Sequence, residues 1–382
     1  MAYKSTYQAA TVVSPAIESH FSKLLATAVA KGEKDLAPEP SLKVIEAIID
    51  VTFWASLRRE EGRSPKISLA YLPPVLAGHP LVFEQRILLT PHVLTKLAPA
   101  VERSGIHLGI WDDDGELYVW GTTRAIPDCC FVLEVVEPGL LVVKHRRING
   151  FGKFINVAVL KGDDIKIIDE QSSSMPDCPV MLTSLLDYNS PGGWNDSVNV
   201  LVQLAASMRT HGHGGSLLVV PSGDNSWRDS IIHPITYPVA PAYNELEKLM
   251  AQGIEESNPL FAGWQEEINR TVDSLAGLTA VDGATVINDK LELLAFGAKI
   301  GLSSNGMPVE QMLVTEPVIG NEARIIHPSQ NGGTRHLSAA QFVFDQRDAI
   351  ALVSSQDGRF TIFSWSPCES IVHAHYVDAL LL

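Results

Sequence analysis

Two short tracts hold the side chains best suited to chemistry in this chain. The first runs from Leu278 to Ala298 and contains Asp282-Gly283-Ala284. Ala284 to Ile287 predicts a buried strand, Asn288-Asp289 a turn, and the following residues a second strand that ends at the small pair Gly297-Ala298. The Asp282 carboxylate is thereby held at a strand edge. Beside it, Gly283 has no side chain to keep a ligand from the backbone. Such a carboxylate suits a metal ion or a ribose hydroxyl.

The second tract is Asn331-Gly332-Gly333-Thr334-Arg335-His336-Leu337-Ser338-Ala339-Ala340. Two glycines free the backbone, after which come a hydroxyl, a guanidinium and an imidazole. Arginine meets phosphate oxygens in a planar, bidentate way that lysine does not. The small residues Ser338-Ala339-Ala340 predict a helix opening behind the tract. Its free N–H groups and the positive end of its dipole would also face an anion. Taken alone, the tract reads as a glycine turn and helix N-cap with a surface arginine.

Together the tracts resemble the diadenylate cyclase family, whose domain carries an Asp-Gly-Ala motif and, downstream, Gly-Thr-Arg-His-Arg-Ala-Ala. Flanking segments are similar as well: Leu294 to Ala298, Asp348 to Gly358, and upstream Val200 to Ala206 followed by His213 to Val220. The likeness spans about half the chain, from near Asn195 to near Trp365. It implies Asp282, Arg335 and His336 as the catalytic set. Gly283, Ala284, Gly297, Gly333, Thr334, Ser338 and Ser354 would contact an adenine nucleotide. Mg2+ or Mn2+, where a metal is used, would sit on Asp282 and His336. In that family two ATP molecules meet across a homodimer.

The departures from the family pattern fall on charged groups. Leu337 stands where the cyclases have a second arginine, and Ser355-Gln356 where they have paired glutamates. Phosphoryl transfer depends on charge stabilisation of the kind those groups supply. The resemblance is therefore nearer to the divergent sensor domains of this group, including the class named DACNV, than to the working synthases.

At 382 residues and 46% apolar content the chain can bury a large core and predicts two domains, 1–180 and 196–382. The net charge of −15 argues against a general nucleic-acid surface, which needs a broad basic face. Cys129, Cys130, Cys178 and Cys368 form no C-x-x-C pair and suit a reducing compartment. The adjacent Cys129-Cys130 read as core. The chain opens without a basic segment followed by an apolar one, and no run approaches the ~20 apolar residues of a membrane span. These features predict a cytoplasmic protein with no membrane partner.

The elements that must position the two tracts follow from periodicity. Ser14-Pro15 predicts a helix start, with Ile17, Phe21, Leu24, Leu25 and Ala28 on one face. A second helix starts near Ser41 with Leu42, Ile45, Ile48, Ile49 and Thr52 inward. Three hairpins follow, turning at Asp112 to Gly115, Glu137-Pro138-Gly139 and Lys161 to Asp164. This predicts a mostly antiparallel sheet under two helices, a module with no assignable family resemblance. Gln171 to Asp196, rich in Ser, Pro, Gly and Asn, predicts the domain boundary. Beyond it, helices at Val198 to Met208, Ala242 to Ala251 and Pro259 to Leu275 alternate with strands, giving a mixed sheet layered by helices. Tyr237 to Pro241 is left out of the second helix because its two prolines would break it. The fold class is thus α/β and α+β.

Other chemistry finds little support. The Asp112-Asp113-Asp114 turn lacks the spaced oxygen ligands of a calcium loop, and His211-Gly212-His213 has no third metal ligand in sequence. Lys144-His145-Arg146-Arg147 with Lys153, around Gly150-Phe151-Gly152, reads as a solvated basic loop able to attract an anion. Walker A, G-x-S-x-G and H-E-x-x-H motifs are absent. Three functions stay open: a nucleotide or second-messenger sensor reporting to an effector protein, an active metal-dependent diadenylate cyclase, or an interaction module that keeps the motifs only as packing.

Overall fold

The structure, a computed structural model, describes residues 5–103, 105–146, 154–169, 196–253, 260–304 and 306–382. It divides into two compact units, Met1–Ile168 together with Leu382, and Asp169–Leu381. The boundary stretch predicted at Gln171 to Asp196 lies, apart from its last residue, outside the described residues, as do Cys178, Arg147 and Lys153.

The N-terminal unit opens with α1 (Gln8–Ala30) and α2 (Leu42–Ser56). Helix α1 starts seven residues earlier than Ser14-Pro15 suggests, and Pro15 lies inside it. The ring removes one backbone donor, and the Ser14 hydroxyl donates to the Ala10 carbonyl at 2.6 Å in the same turn. The earlier start is fixed from outside the helix. The buried Asp50 carboxylate of α2 accepts from the Thr6 and Tyr7 N–H groups at 2.8 and 2.6 Å. Tyr7 also stacks on Phe53. Ile17, Phe21, Leu24 and Ala28 of α1, and Ile45, Ile48, Ile49 and Thr52 of α2, are buried as expected, whereas Leu25 and Leu42, at the margins of those faces, are half-buried.

Beneath these helices lies an eight-stranded sheet: β1 (Ser68–Tyr71), β2 (Leu81–Leu88), β3 (His107–Asp113), β4 (Glu116–Thr123), β5 (Phe131–Glu137), β6 (Leu140–Arg146), β7 (Phe154–Lys161) and β8 (Asp164–Ile167). The spatial order is β2-β4-β3-β1-β5-β6-β7-β8. The three predicted hairpins are β3/β4, β5/β6 and β7/β8. In the first, Asp114 and Gly115 both take positive φ, 51° and 80°, as a two-residue turn requires. Strand β1 runs parallel to β3 and antiparallel to β5, so it joins the hairpins into one sheet. A short helix, α3 (Pro91–Leu97), capped by the Thr90 hydroxyl, connects β2 to β3.

The predicted basic loop is instead the end of β6, an inner strand. Lys144 is buried and ion-paired with Glu134 at 2.6 Å, His145 is fully buried, and Arg146 is engaged by Asp128 and the Ile126 carbonyl. Lys144 and Arg146 thus meet protein partners, and the rest of the predicted loop lies outside the described residues. Cys129 and Cys130 are core residues, and burial pushes the Cys129 thiol up to about 12.

The C-terminal unit holds a nine-stranded mixed sheet: β9 (Gly215–Val220), β10 (Tyr237–Tyr243), β11 (Ala284–Asn288), β12 (Leu293–Ala298), β13 (Met312–Thr315), β14 (Arg324–Ile326), β15 (Ile350–Ser354), β16 (Phe360–Ser366) and β17 (Ile371–Tyr376). Their order is β10-β12-β11-β9-β15-β16-β17-β13-β14. Among the described residues its α-helices are α4 (Asp196–Thr210), α5 (Glu245–Gln252), α6 (Phe261–Leu278) and α7 (Thr334–Asp345).

Strands β9 and β11 are parallel, with Ser216 beside Ala284, and β15 runs antiparallel to β9, with Ser354 beside Gly215. Leu218, Val220, Ala284, Val286, Ala351 and Val353 form one apolar face, which packs on Ala339, Ala340, Phe342 and Val343 of α7. The alternate residues Leu217, Ile287 and Leu352 are buried as well, so both faces of the central strands are covered.

The stretch Tyr237–Tyr243 is a strand, and it takes in Ala242 and Tyr243, which the sequence placed in the second helix. It occupies the sheet edge, where a proline's missing N–H costs no ladder bond. Helix α7 also begins earlier than predicted, with Gly333 at its N-cap, so Thr334, Arg335 and His336 form its first turn.

Candidate functional site

The register of the C-terminal sheet brings the two tracts to one edge. Because β9 and β11 are parallel, their starts, Gly215 and Ala284, lie side by side. The end of β12 reaches the same edge, with Ala298 opposite Ala284, and so does the end of β15. The first turn of α7 closes over it. A cleft of about 420 Å³ results, lined by Asp282, Gly283, Ala284, Thr334, Arg335 and Ser338, all expected from sequence, by Ala298 of the flanking stretch, and by Ser216, Ile232, Lys299 and Ile300, which were not expected.

Gly333, His336 and Ser354 line a smaller adjoining cavity of about 100 Å³, which shares Thr334 and Arg335 with the cleft. A side chain at Gly333 would meet nothing within 4 Å, so this glycine leaves open approach to the helix start. The first N–H groups of α7 have no intrahelical acceptor and point toward this end. The Arg335 guanidinium lies against the backbone. A methyl group on Gly214 would sit 3.0 Å from its Nη1 and 3.2 Å from the Ser354 carbonyl oxygen.

His336 is placed differently from the other motif residues. It is buried, its Nε2 lies 3.2 Å from the Thr361 hydroxyl, and Gly332 with φ +134° passes close to its Nδ1. Burial first, and the Arg359 charge second, lower its pKa and keep the imidazole neutral. It therefore buttresses the tract from behind. Gly297 likewise lies behind the cleft wall, in contact with Gly283.

Asp282 and His336 do not converge on one point: the former lines the larger cleft, the latter the small cavity. Among the described residues no group of three or more His, Cys, Asp or Glu side chains is arranged to hold a metal. The partner of the Asp282 carboxylate is the Lys299 ammonium, at 3.5 Å. The residues present thus do not fit a protein-built divalent metal site. His211 and His213 are occupied locally: Nε2 of His211 meets the Thr279 hydroxyl, and the His213 N–H donates to Nδ1 of His211.

Around the departures from the cyclase pattern, Leu337 is partly exposed on α7. The Ser355 hydroxyl bonds the Asp357 carboxylate and lowers its pKa, and the Gln356 amide donates to the His213 carbonyl. Lys299 was the residue sequence reading missed. Its signal was a cation placed directly after the Gly297-Ala298 strand end.

An α+β chain with a polar cleft at one sheet edge is a frame for binding. Residues 34–124 match the model of a family described as probable sensor domain DACNV. That segment is thus similar to a probable sensor domain of the DACNV kind. No curated protein matches it. The match falls on the N-terminal unit, from the α1–α2 connection through β4, in the module for which the sequence offered no family, whereas the two motif tracts lie in the C-terminal unit. No helix among the described residues is long and apolar enough to cross a membrane.

Proposed function

We propose that this sensor domain protein responds to a nucleotide, and that the ligand sits in the C-terminal cleft. One observation carries the reading: Arg335, Lys299, Thr334, Ser338 and the Gly283 backbone line a single cavity at a helix start, in a chain whose overall charge is −15. A local pair of cations within an acidic protein suits a small polyanion rather than a nucleic acid. Arg335 meets phosphate oxygens together with the first N–H groups of α7, and Asp282 accepts from a sugar hydroxyl. A volume of about 420 Å³ is in the range of small-molecule sites. The adenine preference, a homodimer and cytoplasmic location follow from the resemblance and composition described above. In this reading the N-terminal unit passes occupancy to an effector protein.

Binding rather than synthesis is favoured by the groups around the cleft. Leu337 adds no charge, Ser355 and Gln356 are tied to Asp357 and His213, and the Asp282 carboxylate faces a lysine instead of a metal cluster. Titration calorimetry of the purified chain with adenine and guanine mono-, di-, tri- and cyclic nucleotides tests the reading. At least one ligand should bind. Silence across the panel would leave the interaction-module reading in its place.

A further inference from the structure

We infer that Lys299 is a phosphate-binding residue of the cleft and takes the place of a divalent metal, so that the nucleotide is bound in its metal-free form. The inference rests on the cleft being a nucleotide site. Its own basis is the disagreement between the carboxylate expected to hold a metal and what stands next to that carboxylate.

Lys299 is held firmly at the backbone and loosely at its tip. The Ile232 N–H donates to the Lys299 carbonyl at 2.8 Å, the Gly301 N–H donates to the Ser230 carbonyl at 2.9 Å, and Ile231 bridges Ile300 between them. This short antiparallel pairing fixes where the side chain leaves the main chain. Its other end is 61% exposed and meets Asp282 Oδ2 at 3.5 Å, with that carboxylate 89% exposed. An ion pair so open to water contributes little to folding. It keeps an ammonium at the cleft mouth while leaving it free to turn toward a ligand.

A Mg2+ ion in a nucleotide site is commonly held by one or two carboxylates plus the ligand's phosphates. Asp282 could supply one carboxylate, but its Oδ2 already faces the Lys299 ammonium at 3.5 Å, so a dication there would compete with that ammonium for the oxygen and be repelled by its like charge. Asp282 is the one acidic residue among those that line the cleft, so no second carboxylate there offsets the repulsion. The ammonium meets the same need without a metal. Lysine binds phosphate as a compact point charge, while Arg335 supplies the directional fork from the α7 side of the cleft.

The test is calorimetry of the full chain with ADP and with ATP, once in EDTA and once in excess Mg2+, for wild type, Lys299→Gln and Lys299→Arg. Wild type should bind at least as well in EDTA as in Mg2+. Lys299→Gln should weaken binding in EDTA by about ten-fold or more, the usual loss for a charge-assisted hydrogen bond, and Lys299→Arg should keep most of the affinity. The residue is exposed enough that neither change threatens folding. Binding that requires Mg2+, or Lys299→Gln binding as tightly as wild type in EDTA, would overturn the inference and leave the cleft as a nucleotide site. No binding of ADP or ATP under either condition would also overturn the inference, and the wider nucleotide panel would then decide whether the cleft is a nucleotide site at all.

Discussion

Gly283 and Gly297 meet backbone to backbone behind the cleft. A methyl group placed on Gly283 would lie 2.5 Å from the Gly297 carbonyl carbon and 2.8 Å from its oxygen, and Gly283 itself sits at φ +106°. Neither the space nor the conformation admits a side chain. Gly297, at φ +61°, is closed in on its other side by the Tyr237 ring, which stacks on Phe296. The wall that carries Asp282 therefore depends on two glycines in contact. Gly283→Ala should cost about 2 kcal/mol or more of stability, since the clash is with backbone and cannot relax through a rotamer. Urea unfolding of the variant checks this; an unchanged midpoint would mean that the two segments are not pressed together.

Arg335 presents the opposite case, a residue whose removal should affect ligand more than fold. Its guanidinium lines both cavities and lies against Gly214. Arg335→Ala should weaken nucleotide binding by about 1.5 to 3 kcal/mol, the range for a hydrogen bond to a charged group. Circular dichroism and the urea midpoint should stay close to wild type. A variant that fails to fold would reassign Arg335 to structure.

Much of this arrangement was legible before any coordinates. The hairpins were readable because Asp114-Gly115, Pro138-Gly139 and Gly162-Asp163 are two-residue turns between apolar runs, and local turn chemistry sets strand register. The cleft was readable because its wall and floor come from contiguous tracts. Strand β10 was not, since Pro238 and Pro241 are excluded from central strands but tolerated at the edge, and edge position is a property of the sheet. The start of α1 was hidden for a similar reason. What fixes it is Asp50, remote in sequence. Lys299 was missed because its importance lies in its distance to Asp282, which no spacing rule along the chain encodes.

The histidines of β17 predict an acid sensitivity of the fold. His375 is fully buried, with Nδ1 2.7 Å from the Thr315 hydroxyl, and no partner for Nε2 is found among the described residues. Burial, and then the neighbouring His373, bring its pKa down to about 3. The unfolded chain takes up this proton as pH falls through about 6.5, while the native protein does not until far lower. The stability is therefore complete above about pH 6.5 and is lost progressively below it, at up to about 1.4 kcal/mol per pH unit from this residue. Urea midpoints at pH 8 and pH 5 should differ less for His375→Gln than for wild type. An equal difference in the two proteins would show that His375 is protonated, or accessible, in the native state.

The last expectation concerns turnover. Two catalytic charges of the cyclase pattern are replaced, by Leu337 and by Ser355, and the latter's hydroxyl is engaged with Asp357. Phosphoryl transfer needs cations and metal at the reacting phosphates, whereas binding needs only part of that set. With Asp282 paired to Lys299 and His336 buried and neutral in the first turn of α7, the cleft of the proposed reading keeps the binding part. Purified protein incubated with ATP and Mn2+ should therefore yield no cyclic dinucleotide detectable by chromatography and mass spectrometry. Restoring both charges, Leu337→Arg with Ser355→Glu, should recover at most a trace, because productive chemistry also demands a second nucleotide aligned across a matching copy. Clear metal-dependent product from the wild type that disappears in Asp282→Asn would make the protein an enzyme and end the sensor reading of this cleft.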